Sequence, residues 1–360
     1  MMKFSRFNKR LFRVLCFIHV LNFVLILVFY YISDLTQNIN SASNLEIIKS
    51  KNKSLGNTVK TLKYPVKMQP NLTKLINWKN PKYPMDVKYL MENKRLCSAV
   101  KNLTVLVVVN SATDHFVRRQ AIRKTWTNDS YYSYLGTVRV LFLLGRNVNS
   151  SVQKGIEKES DNYRDILQGD FIDTYLNLTH KGVMGYKWLT ERCRNARIIL
   201  KVDDDFLVNM FIYFRKLEKL MLSTNVYCDY KVGAIFRNKT SKWYVSRNHF
   251  RGKKFYKRFC KGKFVSMTND IIPSLYKSAT QTPFFPYDDV LLFGYVMRNV
   301  QGLGYKTLRE KYMETKNNVA MECLKVKKNY CSKFVIGANG KKEMETTWFT
   351  ILKYFSPKQT

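Results

Sequence analysis

Three adjacent carboxylates, Asp203, Asp204 and Asp205, close the apolar run Ile198, Ile199, Leu200 and Val202. The run is short and partly β-branched, which predicts a buried strand. Three like charges at its exit repel one another unless something positive lies between them. In open α/β sheets, ligands gather outside the carboxyl ends of the strands. A hard divalent cation held there by carboxylates, its shell completed by phosphate oxygens and water, meets both conditions. A diphosphate of the nucleotide-sugar kind fits such a site. A solvated acidic turn would have the same composition.

Other segments carry further chemistry. Arg118-Arg-Gln-Ala-Ile-Arg-Lys-Thr-Trp126 offers guanidinium groups at Arg119 and Arg123. Arginine suits a diphosphate because its fork gives paired, charge-assisted hydrogen bonds, although an ordinary basic helix reads the same way. The stretch from Asp165 to Lys181 is acidic and aromatic and ends in a lysine, and Ser241-Lys-Trp-Tyr244 and Phe259-Cys-Lys-Gly262 follow. Tyr287-Asp-Asp-Val-Leu-Leu-Phe-Gly294 sets Asp288 and Asp289 before an apolar, helix-like run. There they would also serve as acidic residues at a helix N-terminus.

Positioning such groups needs a scaffold. Strands are expected at 104–109, 138–144 and 198–202, with a weaker one at 231–236. Between them, Val183, Tyr186, Leu189 and Cys193 recur at helical spacing, as do Met210, Phe214, Leu217, Leu220 and Met221. Continuous apolar strands separated by amphipathic helices predict an α/β fold, a mainly parallel sheet with helices on both faces.

The chain has 360 residues and a formal charge of +36. Basic chains raise the question of nucleic acid, anionic membranes or acidic glycans. The lysines are spread along most of the chain, and no zinc-finger, basic-zipper or RNA-binding signature occurs, so no nucleic-acid partner is expected. Lys3, Arg6, Lys9, Arg10 and Arg13 precede an uncharged apolar segment, 14–32. That segment is long enough to span a bilayer, and its basic flank predicts a cytoplasmic N-terminus. The expected organisation is a cytoplasmic tail (1–13), a transmembrane signal anchor (14–32), an Asn-, Lys- and Ser-rich stem (33–95) and a lumenal catalytic domain (96–360). Sequons at Asn52, Asn71, Asn102, Asn128, Asn149, Asn177 and Asn238 agree with a lumenal body. Seven cysteines are present. Cys16 lies within the apolar segment, and the remaining six predict disulfides of unassigned pairing.

Taken in order, R-x-x-I-R-x-T-W, F-L-L-G, D-F-x-D-x-Y-x-N-L-T-x-K, K-x-D-D-D-x-x-x-N and a late D-D-V resemble the β-1,3-galactosyltransferase and β-1,3-N-acetylglucosaminyltransferase family. The resemblance runs from about residue 105 to about residue 300. It implies a GT-A-type nucleotide-sugar-binding sandwich, a UDP-sugar donor (UDP-galactose or UDP-N-acetylglucosamine), a divalent metal, usually manganese, and a Golgi type II membrane protein. The reaction implied is inverting transfer of a hexose, galactose first, to the 3-hydroxyl of an acceptor glycan on lipid or protein. A β-1,3-N-acetylglucosaminyltransferase and a non-catalytic, membrane-anchored glycan-binding relative are the alternatives. By resemblance, Asp205 would contact the metal, with Asp203 beside it, and Asp203 and Asp204 would bind ribose or orient the site. Arg119 and Arg123 would face the nucleotide or diphosphate. Asp173 and Lys181 would shape the donor pocket, Trp243 would lie near the sugar, and Asp289 would be the catalytic base. The chain departs from the family pattern at Thr127 and at Lys257-Arg258, which precede Phe259.

Overall fold

The computed structural model describes residues 63–68, 75–76, 87–221 and 224–356. They belong to a unit that runs from Thr61 to Thr360. The expected cytoplasmic tail, the anchor at 14–32 and most of the stem lie outside the described residues. Among the described residues, no helix is long and apolar enough to cross a membrane.

In chain order the elements are β1 (Tyr89–Met91), β2 (Leu103–Asn110), α1 (Phe116–Lys124), β3 (Thr137–Arg146), α2 (Ser150–Tyr163), β4 (Ile166–Ile172), α3 (Leu178–Arg192), β5 (Ile198–Asp203), β6 (Phe206–Val208) and α4 (Met210–Met221). There follow β7 (Val226–Lys231), β8 (Phe259–Thr268), α5 (Ile272–Gln281), α6 (288–299), β9 (Tyr305–Thr307), β10 (Met313–Glu314), α7 (Asn317–Lys327), β11 (Val335–Gly337) and α8 (Lys341–Phe355). Helix α6 begins as an α-turn at Asp288–Val290 and widens into a π segment at Leu291–Val296.

The main sheet has eight strands in the order β1-β4-β3-β2-β5-β8-β7-β9, and a second sheet has the order β10-β11-β6. Its centre, β4-β3-β2-β5, is parallel. Strand β1 joins β4, and β8 joins both β5 and β7, in antiparallel fashion. The sheet is therefore mixed, more so than the expected mainly parallel sheet. Its helical cover on both faces explains the unbroken apolar strands. In β2, Leu106 and Val108 point into one core with Tyr186, Leu189, Leu275 and Leu292. Val105, Val107 and Val109 point into the other, with Ile122, Trp126, Phe211 and Trp348. Successive side chains alternate between faces, so a strand covered on both sides must be apolar at every position.

The first three expected strands are found as β2, β3 and β5. The expected strand at 231–236 is not. Strand β7 ends at Lys231, and beyond it Ala234 and Phe236 form only isolated bridges. Two strands lack an apolar signal. In β4, Gln168 is buried and bonded to the Gly145 carbonyl, and β8 opens with Phe-Cys-Lys-Gly-Lys. The folded body also begins earlier than the expected stem boundary at 95. Strand β1 pairs with β4, the Lys67 amide bonds to Asn299, and Ile76 is buried. These segments are too short for a detectable period.

All six cysteines among the described residues are paired, as Cys97–Cys193, Cys228–Cys260 and Cys323–Cys331. The first ties the entry to β2 to the end of α3 and closes a separation of 96 residues. Replacing Cys97 and Cys193 together by serine is expected to lower unfolding stability by roughly 2–5 kcal/mol. Denaturant titration of the purified protein checks this, and an unchanged midpoint would contradict it.

Candidate active site

The acidic turn follows β5, and β6 carries the chain from it into the second sheet. The three carboxylates have different surroundings. Asp204 is buried and accepts hydrogen bonds from Ser111 Oγ (2.7 Å) and Arg118 (3.1 Å), with His115 Nδ1 at 2.7 Å. Burial works against its charge, but the bonds from His115 and Ser111 and the nearby positive charge outweigh it and hold its pKa below the usual range. Asp203 takes a 2.7 Å bond from the Lys201 ammonium. Asp205 has no ion pair within 4 Å among the described residues. Burial, followed by the like charges of Asp203 and Asp204, raises its pKa.

Lys201 is one residue before Val202 on β5 and is buried. Its ammonium donates to Asp203 and to the Gly262 carbonyl, both at 2.7 Å. Burial disfavours its charge, yet the fields of Asp203, Asp288 and Asp289 raise its pKa. Asp288 and Asp289 open α6. Burial first, and then the neighbouring Asp288 carboxylate, push Asp289 up to about 7, against the pull of Lys201 and of the Gly262 N–H. Gly262 is needed here for space: a Cβ would sit 2.0 Å from Asp289 Oδ1 and 2.7 Å from Lys201 Nζ. Lys201, Gly262 and Asp288 are functional positions that the role assignments left out. All three lie within quoted motifs, which is the signal that could have found them.

Asp289 opens onto a cavity of about 450 Å³. Trp243, Tyr175, Tyr287 and Phe236 give it an aromatic wall, and Lys261 and Lys263 line it as well. Trp243 is half exposed, and its indole N–H donates to the Tyr175 hydroxyl at 2.9 Å. The Tyr287 hydroxyl donates to the Tyr244 carbonyl at 2.6 Å, tying the 241–244 segment to the start of α6. The structure thus brings Trp243 and Asp289 into one cleft, as the resemblance implied.

Asp173 and Lys181 pair with each other and reach the acidic turn through Ser111. The Lys181 ammonium is buried and donates to Asp173 (2.9 Å) and to the Ser111 carbonyl (2.8 Å). The other Asp173 oxygen accepts from the Gly145 N–H at 2.8 Å. This clamp joins the ends of β2 and β3 to α3.

Arg119 and Arg123 require a correction. Arg119 is fully buried, and its N–H groups go to Glu159, Ser111 Oγ and the carbonyls of Ala112 and Thr113. Arg123 forks onto Asp165 at 2.7 and 2.8 Å and reaches Glu159 at 2.6 Å. Arg119 has no donor left for a diphosphate, and Arg123 is turned to the two carboxylates and packed between the Phe142 and Tyr163 rings. Both hold the β2–α1 loop and α1 in place. Arg118, bonded to Asp204 and Asn339, is the partly exposed arginine at the acidic turn.

The metal assignment was tested on the donor set. Among the described residues, no group of three or more His, Cys, Asp or Glu is placed to hold an ion. Asp204 is engaged by Ser111, His115 and Arg118, and Asp203 gives one oxygen to Lys201. Asp205 remains, a carboxylate facing two like charges with no protein cation paired to it. One or two carboxylates completed by substrate phosphates and water is a usual arrangement for a hard divalent ion. The residues fit a cation that arrives with a diphosphate, for which Asp205 would be the main ligand and Asp203 a weaker one.

A galactosyltransferase family model matches residues 117–303. Beta-1,3-galactosyltransferase 1 of Mus musculus is 33% identical over 216 residues, covering 58% of this chain and 64% of that protein. Lactosylceramide 1,3-N-acetyl-beta-D-glucosaminyltransferase B of Danio rerio is 33% identical over 221 residues, covering 57% and 56%. The chain thus spans under two thirds of the length of both relatives. Among solved structures, a glycosyltransferase involved in glycosylation of the major capsid of PBCV-1 aligns over 68% of this chain and 99% of its own. Its TM-score is 0.35 and its identity 10%. Galactosyltransferase LgtC aligns over 71% and 98%, with a TM-score of 0.34 and 10% identity.

The buried arginine network gives a direct test. Arg119→Met leaves Glu159 facing Arg123 alone and is expected to cost about 3–5 kcal/mol of stability, read by denaturant unfolding. A variant of native stability that has lost nucleotide affinity would return Arg119 to a ligand-binding role.

Proposed function

This chain belongs to the galactosyltransferase family, and on that premise we propose that it is a UDP-sugar-dependent, inverting β-1,3-glycosyltransferase of GT-A type that transfers galactose to the 3-hydroxyl of an acceptor glycan. The observation that carries the reading is Asp289, a carboxyl raised to about 7 at the edge of an aromatic cleft. A general base works best when its pKa lies near the working pH. Asp289 takes the acceptor hydroxyl proton as that oxygen attacks the anomeric carbon. The Gly262 N–H orients the carboxylate, the field of Lys201 favours its ionised form, and Trp243 offers a flat apolar face to a sugar ring. UDP departs from the face opposite the attacking oxygen. Asp205, with Asp203, would hold a divalent cation, manganese in this reading, which when bound neutralises the departing diphosphate.

A β-1,3-N-acetylglucosaminyltransferase is the second reading, supported by the likeness to the Danio rerio enzyme. A non-catalytic glycan-binding role is disfavoured by the glycine that makes room for Asp289. The paired cysteines support an oxidising compartment. With the apolar segment 14–32, its basic flank and the sequons, they support a Golgi type II protein with a lumenal catalytic domain.

The test is UDP release from UDP-galactose and UDP-N-acetylglucosamine over an acceptor panel, with and without manganese. Metal-dependent release from one donor is expected, and no release from either would contradict the reading. Asp289→Asn should lower kcat by about 10²–10⁴ while UDP binding persists. Because the base must be ionised, wild-type kcat is expected to rise with pH through about 7 and to fall tenfold per unit well below it. A flat profile from pH 5 to 8 would remove Asp289 from that role.

A further inference from the structure

Between Asp229 and Asp270 the chain has no acidic residue and twelve lysines or arginines. This segment forms one wall of the catalytic cleft. Part of its charge is structural: Arg237 turns inward to the carbonyls of Val245, Ser246, His249 and Phe250, and Lys231 pairs with Asp229 and Glu310. Lys261 and Lys263 differ. Both are half-buried, both line the cleft, and neither has an ion pair within 4 Å among the described residues. They are two apart on β8 and so emerge on one face about 7 Å apart, a span that two flexible ammonium stems can close on one anion.

Their position relative to the base matters most. They flank Gly262, the residue whose N–H binds Asp289 and whose carbonyl binds Lys201. In an inverting displacement the acceptor hydroxyl lies at the base, and the diphosphate leaves from the opposite face of the anomeric carbon. Both lysines line the cavity onto which Asp289 opens, so a charged group on a bound acceptor comes within reach of their flexible stems. The aromatic wall of Trp243, Tyr175 and Tyr287 accepts a sugar face but has no charge to offer. We propose that Lys261 and Lys263 are specificity determinants that select an acceptor glycan carrying an anionic group, a sulfate ester or a carboxylate, close to the reacting hydroxyl. This inference rests on the transferase reading above, and its test is built to separate the two.

The full chain in detergent is assayed for UDP release with three matched acceptors: a neutral β-galactoside disaccharide, its 6-sulfated form and a uronate-terminated analogue. Direct binding of the same three is measured in the presence of UDP. At low ionic strength, one charged acceptor or both should exceed the neutral one about tenfold in kcat/KM, with the preference shrinking as salt is added. The sulfate and uronate arms identify the anion. Lys261→Ala and Lys263→Ala should each bring the charged-to-neutral ratio toward one through the acceptor KM, and Lys261→Arg should retain it. Equal use of neutral and charged acceptors overturns the proposal. So does a variant that raises the KM for UDP-sugar with all three acceptors, which would assign the lysines to the donor diphosphate. If nothing turns over, lysine-dependent binding of a charged glycan keeps the anion site and removes the transferase reading. Absence of that binding overturns the anion site.

Discussion

The buried Lys201 ammonium retains its charge because carboxylates surround it: Asp203 in direct contact, and Asp288 and Asp289 close enough for their fields to act. A buried charge is costly unless it is paired and hydrogen-bonded, so this group fixes what the surrounding backbone can do. It holds β5 to the Gly262 carbonyl of β8 and faces the start of α6. In the other direction, it keeps Asp289 from drifting further upward under burial and the repulsion of Asp288. The acidic turn and Asp289, the proposed base, 84 residues apart in the chain (289 − 205), both feel the charge of one side chain.

Buried cations and cleft cations serve different purposes here. Arg119, Arg123 and Lys181 are engaged by Glu159, Asp165, Asp173 and backbone carbonyls, and they set the positions of the loops that carry the site. Removing one partner would leave a buried charge unpaired, so these residues are structurally demanding whatever the substrate. Lys261 and Lys263 make no such pairs and remain available to a ligand. In a chain of net charge +36, Glu159, Asp165 and Asp173 are spent on buried cations, and two lysines face the cleft.

Much of this was legible in the sequence. The three central strands announced themselves as unbroken apolar runs, and the carboxylates at the end of β5 followed from charge repulsion and strand polarity. Asp173 bonds to Lys181, and Trp243 and Asp289 line one cleft, positions compatible with the roles that the resemblance implies. Arg119 and Arg123 proved to be taken up by Glu159 and Asp165, which lie 36–42 residues away, and nothing local reveals that pairing. Lys201 was seen only as a motif letter, since its partner Gly262 is 61 residues distant. Strand β8 was missed because Lys261, Gly262 and Lys263 interrupt its apolar pattern, and Gly262 is held there by the space that Asp289 and Lys201 take. Strand β1 and the packed parts of the expected stem are too short to carry a period at all.

The central claim is that Lys201 holds the ionisation of Asp289 down against burial and the charge of Asp288, and it is tested most directly by the pH dependence of kcat in Lys201→Gln. The amide keeps a donor for the Gly262 carbonyl and removes the charge. Without the cation, the Asp289 pKa rises above its value of about 7, so the acid limb of the profile is expected to move to higher pH by about one unit or more. An acid limb that stays where it is in the wild type, in a variant of native fold, would contradict the account.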